Sequence, residues 1–207
     1  MVVVCVAFVV VTAIYALKVS QGILDSFRLV DKGLQTSNGS LKEREDSLFK
    51  AAQSHSDENE ISTRLKIARE ESTRYQSFID SLKKELINRA GGFDENEAIV
   101  KRGDIELAGL LMINEKKGDL LFAKMKILRD TLINVSSDSV ARETITKLLT
   151  VKAPRGPKGS EKQDISRLTF KHVPVTAAVT ILSKFQNDAI AANQAASEGA
   201  LREMQKK

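Results

Sequence analysis

Apolar positions recur at helical spacing from the first residues of the chain. Residues 1–17 contain no charged side chain, and a run of about this length is the lower limit for a helix that crosses the hydrocarbon core of a bilayer. Four apolar residues then step by four, three and four positions along one helical face: Ile23, Phe27, Val30 and Leu34. Because no proline separates the two segments, the pattern predicts a transmembrane helix over 1–17 that continues directly into a membrane-exit helix.

The segment Ser37-Asn38-Gly39-Ser40 is a candidate for a turn that ends the exit helix, since it is rich in turn-forming residues, although Leu41 and Leu48 keep the seven-residue step past it. The segment 18–40 is therefore interpreted as a membrane-exit helix and turn. The strongest periodicity follows, with alternating steps of four and three at Ile61, Leu65, Ala68, Ser72, Tyr75, Ile79, Leu82 and Leu86. Ser56 or Asp57 is placed to cap the start of this helix, and Gly91-Gly92 is placed to end it.

Shorter helices are predicted farther along the chain. After a loop over 93–102 come a short apolar helix over 105–113, a helix over 121–135 and a further helix that Ser136-Ser137-Asp138 caps. A flexible connector follows at 153–160, and the last helix begins at Pro174, since proline suits a first helical turn. The predicted fold class is all-α, with a single N-terminal transmembrane helix followed by an up-and-down helical bundle over 41–207, or over 18–207 as one domain.

Two other interpretations of the apolar N-terminus are less favoured. A signal peptide needs a basic leading segment and a small-residue cleavage site, and the sequence shows neither. A buried helix of a soluble bundle would carry a polar face, which this run lacks. Its polar groups and nearby Phe8 define the expected contacts with partner helices: Cys5, Phe8, Thr12 and Tyr15. The alternative is that Thr12 bonds its own helix backbone and Tyr15 anchors at the membrane interface.

Composition favours helices and argues against several function classes. Aromatic residues make up 5% of the chain, tryptophan is absent and proline occurs three times. The net charge of +5 arises from interspersed acidic and basic residues, a pattern typical of a solvated helical surface and not of a nucleic-acid interface. His55, His172 and one cysteine supply too few donors for a metal site. We therefore expect no metal site, no cofactor and no catalytic residues.

Two motifs resemble a known family. Residues 16–27, Ala-Leu-Lys-Val-Ser-Gln-Gly-Ile-Leu-Asp-Ser-Phe, are similar to the membrane-exit segment of GldM/PorM proteins, the motor subunits of the type IX secretion system. Gln35-Thr36-Ser37-Asn38 stands where that family has a Thr-Ser-Asn turn. A second motif, in the last predicted helix, is similar to the family's Phe-x-x-x-Pro, Leu-Ser-x-x-Gln-Asn-Asp signature and includes Phe170, Pro174, Leu182, Gln186 and Asp188. Between these motifs, from about 42 to 162, the match is in helical character alone.

The resemblance implies a function and a set of partners. Such proteins are homodimers in the bacterial inner membrane, and a pentameric ring of GldL/PorL-type subunits that harvests the proton-motive force encloses their membrane helices. Their periplasmic domains pass movement to outer-membrane components, which energises protein secretion and gliding motility. The chain is then expected to comprise the membrane helix, in contact with lipid, and the first periplasmic domain. The cytoplasmic segment and the later domains that contact outer-membrane components would lie outside it.

Two alternatives stay open at this point. Gly22 stands where the family often has an acidic residue after the membrane exit, and it is either a hinge or a small residue that lets two exit helices pack closely. Close packing is favoured because a flexible joint would lose transmitted force.

The second interpretation of the whole chain is the single-span, helical-bundle ectodomain of a bacterial sensory receptor that binds a ligand or another protein.

Overall fold

Seven helices and one π-helical turn form the part of the chain that the computed structural model describes, residues 20–54, 60–151 and 164–205. They are α1 (Gln21–Ser54), α2 (Glu60–Arg89), α3 (Leu107–Gly109) with the π-helical turn Leu110–Asn114, α4 (Lys117–Ile133), α5 (Ser139–Leu148), α6 (Ile165–Phe170) and α7 (Val175–Met204). These residues contain no strand, only an isolated bridge between Phe93 and Ile99. The all-α prediction is confirmed for them, whereas the predicted transmembrane helix over 1–17 lies outside the described residues.

The five longer helices alternate in direction, as the sequence predicted. At one end of the α2–α4 pair, Arg89 contacts Glu115, while nearer the middle Lys124 lies over the Phe78 ring, so α4 runs antiparallel to α2. The helix α5 then runs back along α4 and brings Thr150 to Arg129. The last long helix, α7, is therefore parallel to α1, as hydrogen bonds from Thr180 to Phe27 and from Gln194 to Leu41 show.

The core is built around α7. Residues 175–180 of this helix are all buried, and along its length α7 contacts α1, α2, α4 and α5. The predicted apolar face of α2 is confirmed as a core face, with Tyr75, Ile79, Leu82 and Leu86 buried against this assembly. Alanine, serine and threonine are frequent in α7, and their small side chains let neighbouring helices approach it closely.

Several helix ends agree with the local chemistry of the sequence. Gly91 and Gly92, with φ of +93° and +78°, end α2 in a conformation that L side chains rarely adopt. The Asp138 carboxylate accepts a hydrogen bond from the Ala141 amide at 2.8 Å and caps α5, as predicted. Pro174 is the residue directly before α7, so the predicted start of this helix is also confirmed. The proposed caps Ser56 and Asp57 and the connector 153–160 lie outside the described residues.

Two details of the sequence prediction are wrong. The turn expected at Ser37-Asn38-Gly39-Ser40 is absent, because α1 continues without a break from Gln21 to Ser54. Tertiary contacts on this stretch override the local turn preference, since Ser37 accepts a hydrogen bond from Asn187 of α7 at 3.1 Å. The short helix α6 was missed, because the sequence prediction assigned no element between the connector at 153–160 and Pro174. The Asp164 carboxylate caps this helix by accepting hydrogen bonds from the Ser166 and Arg167 amides.

Candidate functional site

The predicted membrane-exit residues lie in the first four turns of α1. Ile23 and Val30 are 51% and 53% exposed, whereas Phe27 and Leu34 are half-buried. Gly22 lies in the first turn, where the one described atom that an added Cβ would meet is the Ser20 Oγ, at 3.8 Å. These residues thus form an apolar strip whose most exposed members face away from the bundle. The predicted partner contacts Cys5, Phe8, Thr12 and Tyr15 lie outside the described residues.

A second, neighbouring stripe of α1 faces the bundle. Its members alternate steps of three and four, which keeps them on one side of the helix: Leu24, Phe27, Asp31, Leu34, Asn38, Leu41, Glu45, Leu48 and Ala52. Every seventh position of this stripe carries a polar side chain in the middle of the helix. We call Asp31, Asn38 and Glu45 the polar ladder.

The polar ladder is incompletely satisfied. Glu45 is 5% exposed and accepts a hydrogen bond from the Asn193 amide group at 2.9 Å. Burial raises the pKa of this carboxyl, although the Arg69 guanidinium opposes the shift. Among the described residues, one side-chain oxygen of Asp31 and one of Asn38 are buried without a hydrogen-bond partner. Each such oxygen weakens the docking of α1, because it has lost its contact with water without replacement.

Polar side chains of α7 form hydrogen bonds with both the backbone and the side chains of α1. Thr180 donates a hydrogen bond to the Phe27 carbonyl at 3.1 Å, and Gln194 donates to the Leu41 carbonyl. These donors are fourteen residues apart on α7, as the two acceptors are on α1, which fits two parallel helices in register. The α1–α7 contact is therefore a long seam with a large polar share.

The signature residues of the last helix meet at a junction between α2 and α7. Leu182 is fully buried, and Gln186 donates a hydrogen bond to the Asp80 carboxylate at 2.7 Å while accepting one from the Lys83 ammonium at 3.3 Å. Asp188 is buried and contacts Lys184. Phe170, which ends α6, is also fully buried. In this structure the signature positions hold helices together, and Pro174 positions the start of α7.

A cavity of about 390 Å³ lies between the first half of α1, the end of α2, the loop over 93–99 and the start of α7. Leu24, Ile87 and Val179 contribute apolar walls, and Asp31 and Lys83 bring opposite charges to its lining. The Lys83 ammonium is held by Ser183 at 2.6 Å and by Gln186. The cavity therefore lies directly beside the first residue of the polar ladder.

Sequence reasoning selected the exposed strip and missed the polar ladder. The prediction was based on the spacing of apolar residues alone. Ile23 and Val30 fit helical spacing, but each lies one position before a residue of the buried stripe. A usable signal was present, because Leu34, Leu41 and Leu48 repeat every seven residues and Asp31, Asn38 and Glu45 repeat in the same register. A seven-residue repeat that continues through a suspected turn favours an uninterrupted helix.

The described residues contain neither a metal-binding cluster nor a helix suited to span a membrane. No cluster of three or more histidine, cysteine, aspartate or glutamate side chains there is arranged to hold a metal ion. Within 20–54, 60–151 and 164–205, no helix combines the length and the apolar character needed to span a membrane.

Comparison with known proteins identifies the family. The family model described as the GldM N-terminal domain matches residues 22–204, which is most of the chain and begins inside the first turn of α1. A search of curated proteins found no significant match to the chain. The matched range contains α1, the polar ladder and the α2–α7 junction. The chain therefore belongs to the GldM family, whose members are components of type IX secretion and gliding motility.

Proposed function

We propose that this protein is the inner-membrane motor subunit of a type IX secretion system, with its helical bundle in the periplasm. The supporting observation is the family match over residues 22–204, joined to the position of α1. This helix begins at Gln21, directly after the uncharged run 1–17 and the three residues that follow it. Movement of a membrane segment would thus enter the bundle through one uninterrupted helix of 34 residues. Family membership gives no comparable support to a sensory receptor.

The proposed mechanism is mechanical and needs no catalytic group in this chain. A membrane ring driven by the proton-motive force moves the N-terminal segments of a homodimer, and α1 carries this motion to the bundle. Since the run 1–17 has no ionisable side chain except that of Cys5 and Tyr15, the acid that couples proton flow to movement would come from the ring. Outer-membrane components would receive the motion through domains beyond the bundle.

The number of copies tests the proposed assembly. Native mass measurement of the protein co-expressed with its ring partner in detergent should give two copies of this chain per ring. One copy per complex would contradict the homodimer. Cysteine substitutions at Thr12 and Tyr15 should crosslink to the ring, whereas labelling of both positions by lipid-soluble reagents alone would remove the ring contact.

Variants of Gly22 test transmission through the exit helices. Close packing of two helices predicts that Gly22→Ala is tolerated, whereas Gly22→Leu blocks dimer formation and secretion. Among the described residues, an ideal Cβ at Gly22 would meet only the Ser20 Oγ, at 3.8 Å. A loss caused by leucine but not by alanine would therefore support a contact with a neighbouring molecule.

Gly33→Leu is the matched control for these variants, since Gly33 lies in the same helix with nothing within 4 Å of an added Cβ. It should secrete normally at equal membrane levels. An alanine variant at Gly22 that assembles fully but does not secrete would contradict close packing and favour the hinge.

A further inference from the structure

Most of α1 lies outside the main hydrophobic core. Among the described residues, α2, α4, α5 and α7 supply most of this core, with further contributions from the loop near Ile99, from α3 and its π-helical turn, and from Phe170. From α1 only Ala52 belongs to it and only Phe49 packs against it. Leu24 is buried at the other end of the helix, beside Gly103, where it lines the cavity with Ile99 and Val179 of the core. The helix is thus anchored in the core at its C-terminal end.

Between these ends, the polar ladder alternates along the docked stripe with half-buried apolar residues: Phe27, Leu34, Leu41 and Leu48. Two oxygens of the ladder have no hydrogen-bond partner in the described residues. An unpartnered buried oxygen weakens the docked state, because it has lost its contact with water. This seam is therefore weaker than an all-apolar seam of equal length.

Two of the contacts near the start of α1 are ion pairs with the loop that follows α2. Arg102 contacts Asp25 at 2.7 Å, and Lys32 contacts Glu97 at 3.5 Å. In both pairs at least one side chain is more than half exposed to solvent. Exposed pairs of this kind stabilise only weakly, because water screens the two charges.

We propose that residues 21–48 of α1 form a lever that detaches from α7 while the rest of the bundle stays folded. The pivot is the end of α1, where Ala52 is buried in the core and the Arg69 guanidinium lies 4.4 Å from the Phe49 ring centroid. Helices attached by few buried apolar contacts open at lower free energy than the global fold. The proposal deepens the proposed motor function and rests on it for its purpose, but opening of the helix is measured without secretion.

Hydrogen exchange of the full chain in lipid nanodiscs tests the lever. Amides of residues 25–48 should exchange at least roughly tenfold faster than core amides of α2 and α7, since local opening precedes global unfolding. Exchange of all three helices as one cooperative unit would overturn the proposal. Secretion in cells is a separate measurement, so failure of the motor function would not be mistaken for failure of the lever.

Apolar replacement of the polar ladder provides the decisive variant. The double variant Asp31→Leu/Asn38→Leu removes both unpartnered oxygens and should slow exchange of residues 25–48 by about tenfold or more. The control Thr36→Leu/Glu43→Leu adds leucine at two exposed positions of the same helix and should leave exchange within about threefold of the wild type. Equal slowing by both double variants would overturn the role of the ladder.

A crosslink supplies a second test that does not depend on repacking. The Ser37 and Asn187 side chains are hydrogen-bonded across the seam at 3.1 Å, so a short bis-methanethiosulfonate reagent should join the cysteines of Ser37→Cys/Asn187→Cys in a Cys5→Ser background. The crosslink should slow exchange of residues 25–48 to the rate of α7, and reduction should restore it. A crosslink that forms without changing this exchange would refute a detaching lever.

Discussion

The contact between α5 and α7 should be intolerant of a single added methyl group at Gly199. An ideal Cβ at this position would lie 2.7 Å from the Ala141 Cβ and 2.7 Å from the Ser136 Oγ. It would also lie 3.3 Å from the Asp138 Cβ. Carbon atoms do not approach so closely, and two of these neighbours are fixed by the backbone. The Gly199→Ala variant must therefore move the start of α5 away from α7.

Opposing effects determine how much Gly199→Ala changes the free energy of unfolding. Alanine favours a helix interior over glycine by about 1 kcal/mol, which stabilises the variant. Forcing an extra carbon into a packed contact destabilises by about 1–3 kcal/mol. Displacement of Asp138 also threatens its 2.8 Å cap on Ala141, a contact worth about 1 kcal/mol. We expect Gly199→Ala to lower the free energy of unfolding by about 1–2 kcal/mol.

The assay is urea unfolding of the reconstituted protein followed by helical circular dichroism. Gly33→Ala is the matched control, because nothing lies within 4 Å of an added Cβ at this position and α1 should gain about 0.5–1 kcal/mol of stability. If Gly199→Ala were as stable as Gly33→Ala, the close approach of α5 and α7 would not exist in solution. A shared loss in both variants would contradict the reasoning from helix propensity.

Three further outcomes follow from single side chains. Tyr75→Phe should leave the free energy of unfolding in urea unchanged or raise it by up to about 1 kcal/mol, because this buried hydroxyl has no hydrogen-bond partner in the described residues. A loss of stability in this variant would contradict that reasoning. Burial raises the pKa of Glu45 despite Arg69, so its stabilising contribution is present below about pH 4.5 and is lost as pH rises through the raised pKa. Protection of α1 amides, corrected for intrinsic exchange, should therefore increase as the pH falls from neutrality towards about 4.5, and a Glu45→Gln protein that keeps this trend would refute the assignment. Asp138→Ala should destabilise by about 1–2 kcal/mol through loss of the α5 cap and of the Arg202 pair at 3.0 Å, whereas Arg202→Ala alone should have the smaller effect in the same unfolding assay.

Helices with one apolar face were predictable because burial and periodicity agree. In α2, the residues at alternating steps of four and three are the residues that pack in the core, and Gly91 ends the helix as expected. The caps Asp138 and Pro174 were equally local in origin. In each case, short-range chemistry and tertiary packing favour the same structure.

The turn predicted at Ser37-Asn38-Gly39-Ser40 is wrong because contacts with a distant part of the chain, not local sequence, decide the structure of this segment. Asn38 and its neighbours favour a turn in isolation, but the stripe through Leu34, Asn38 and Leu41 is pressed against α7. Hydrogen bonds from Asn187 and Gln194 of α7 hold this stretch helical. Partners more than 140 residues away in sequence therefore decide the outcome.

The exposed apolar strip and the buried stripe of α1 face different directions. A second copy of the chain could therefore contact α1 while this helix stays docked on α7. Ile23 and Val30 are exposed, while Leu24 and Asp31, one position farther along the chain, face the bundle. A step of one residue turns a helix by about 100°, so a second copy that covers Ile23 and Val30 would not displace α7 from the ladder. A dimer at the membrane exit could thus hold two chains together while each α1 opens and closes against its own bundle. Force applied to the paired exit segments would then act on the α1–α7 seam of each bundle, at the end farthest from the pivot near Ala52.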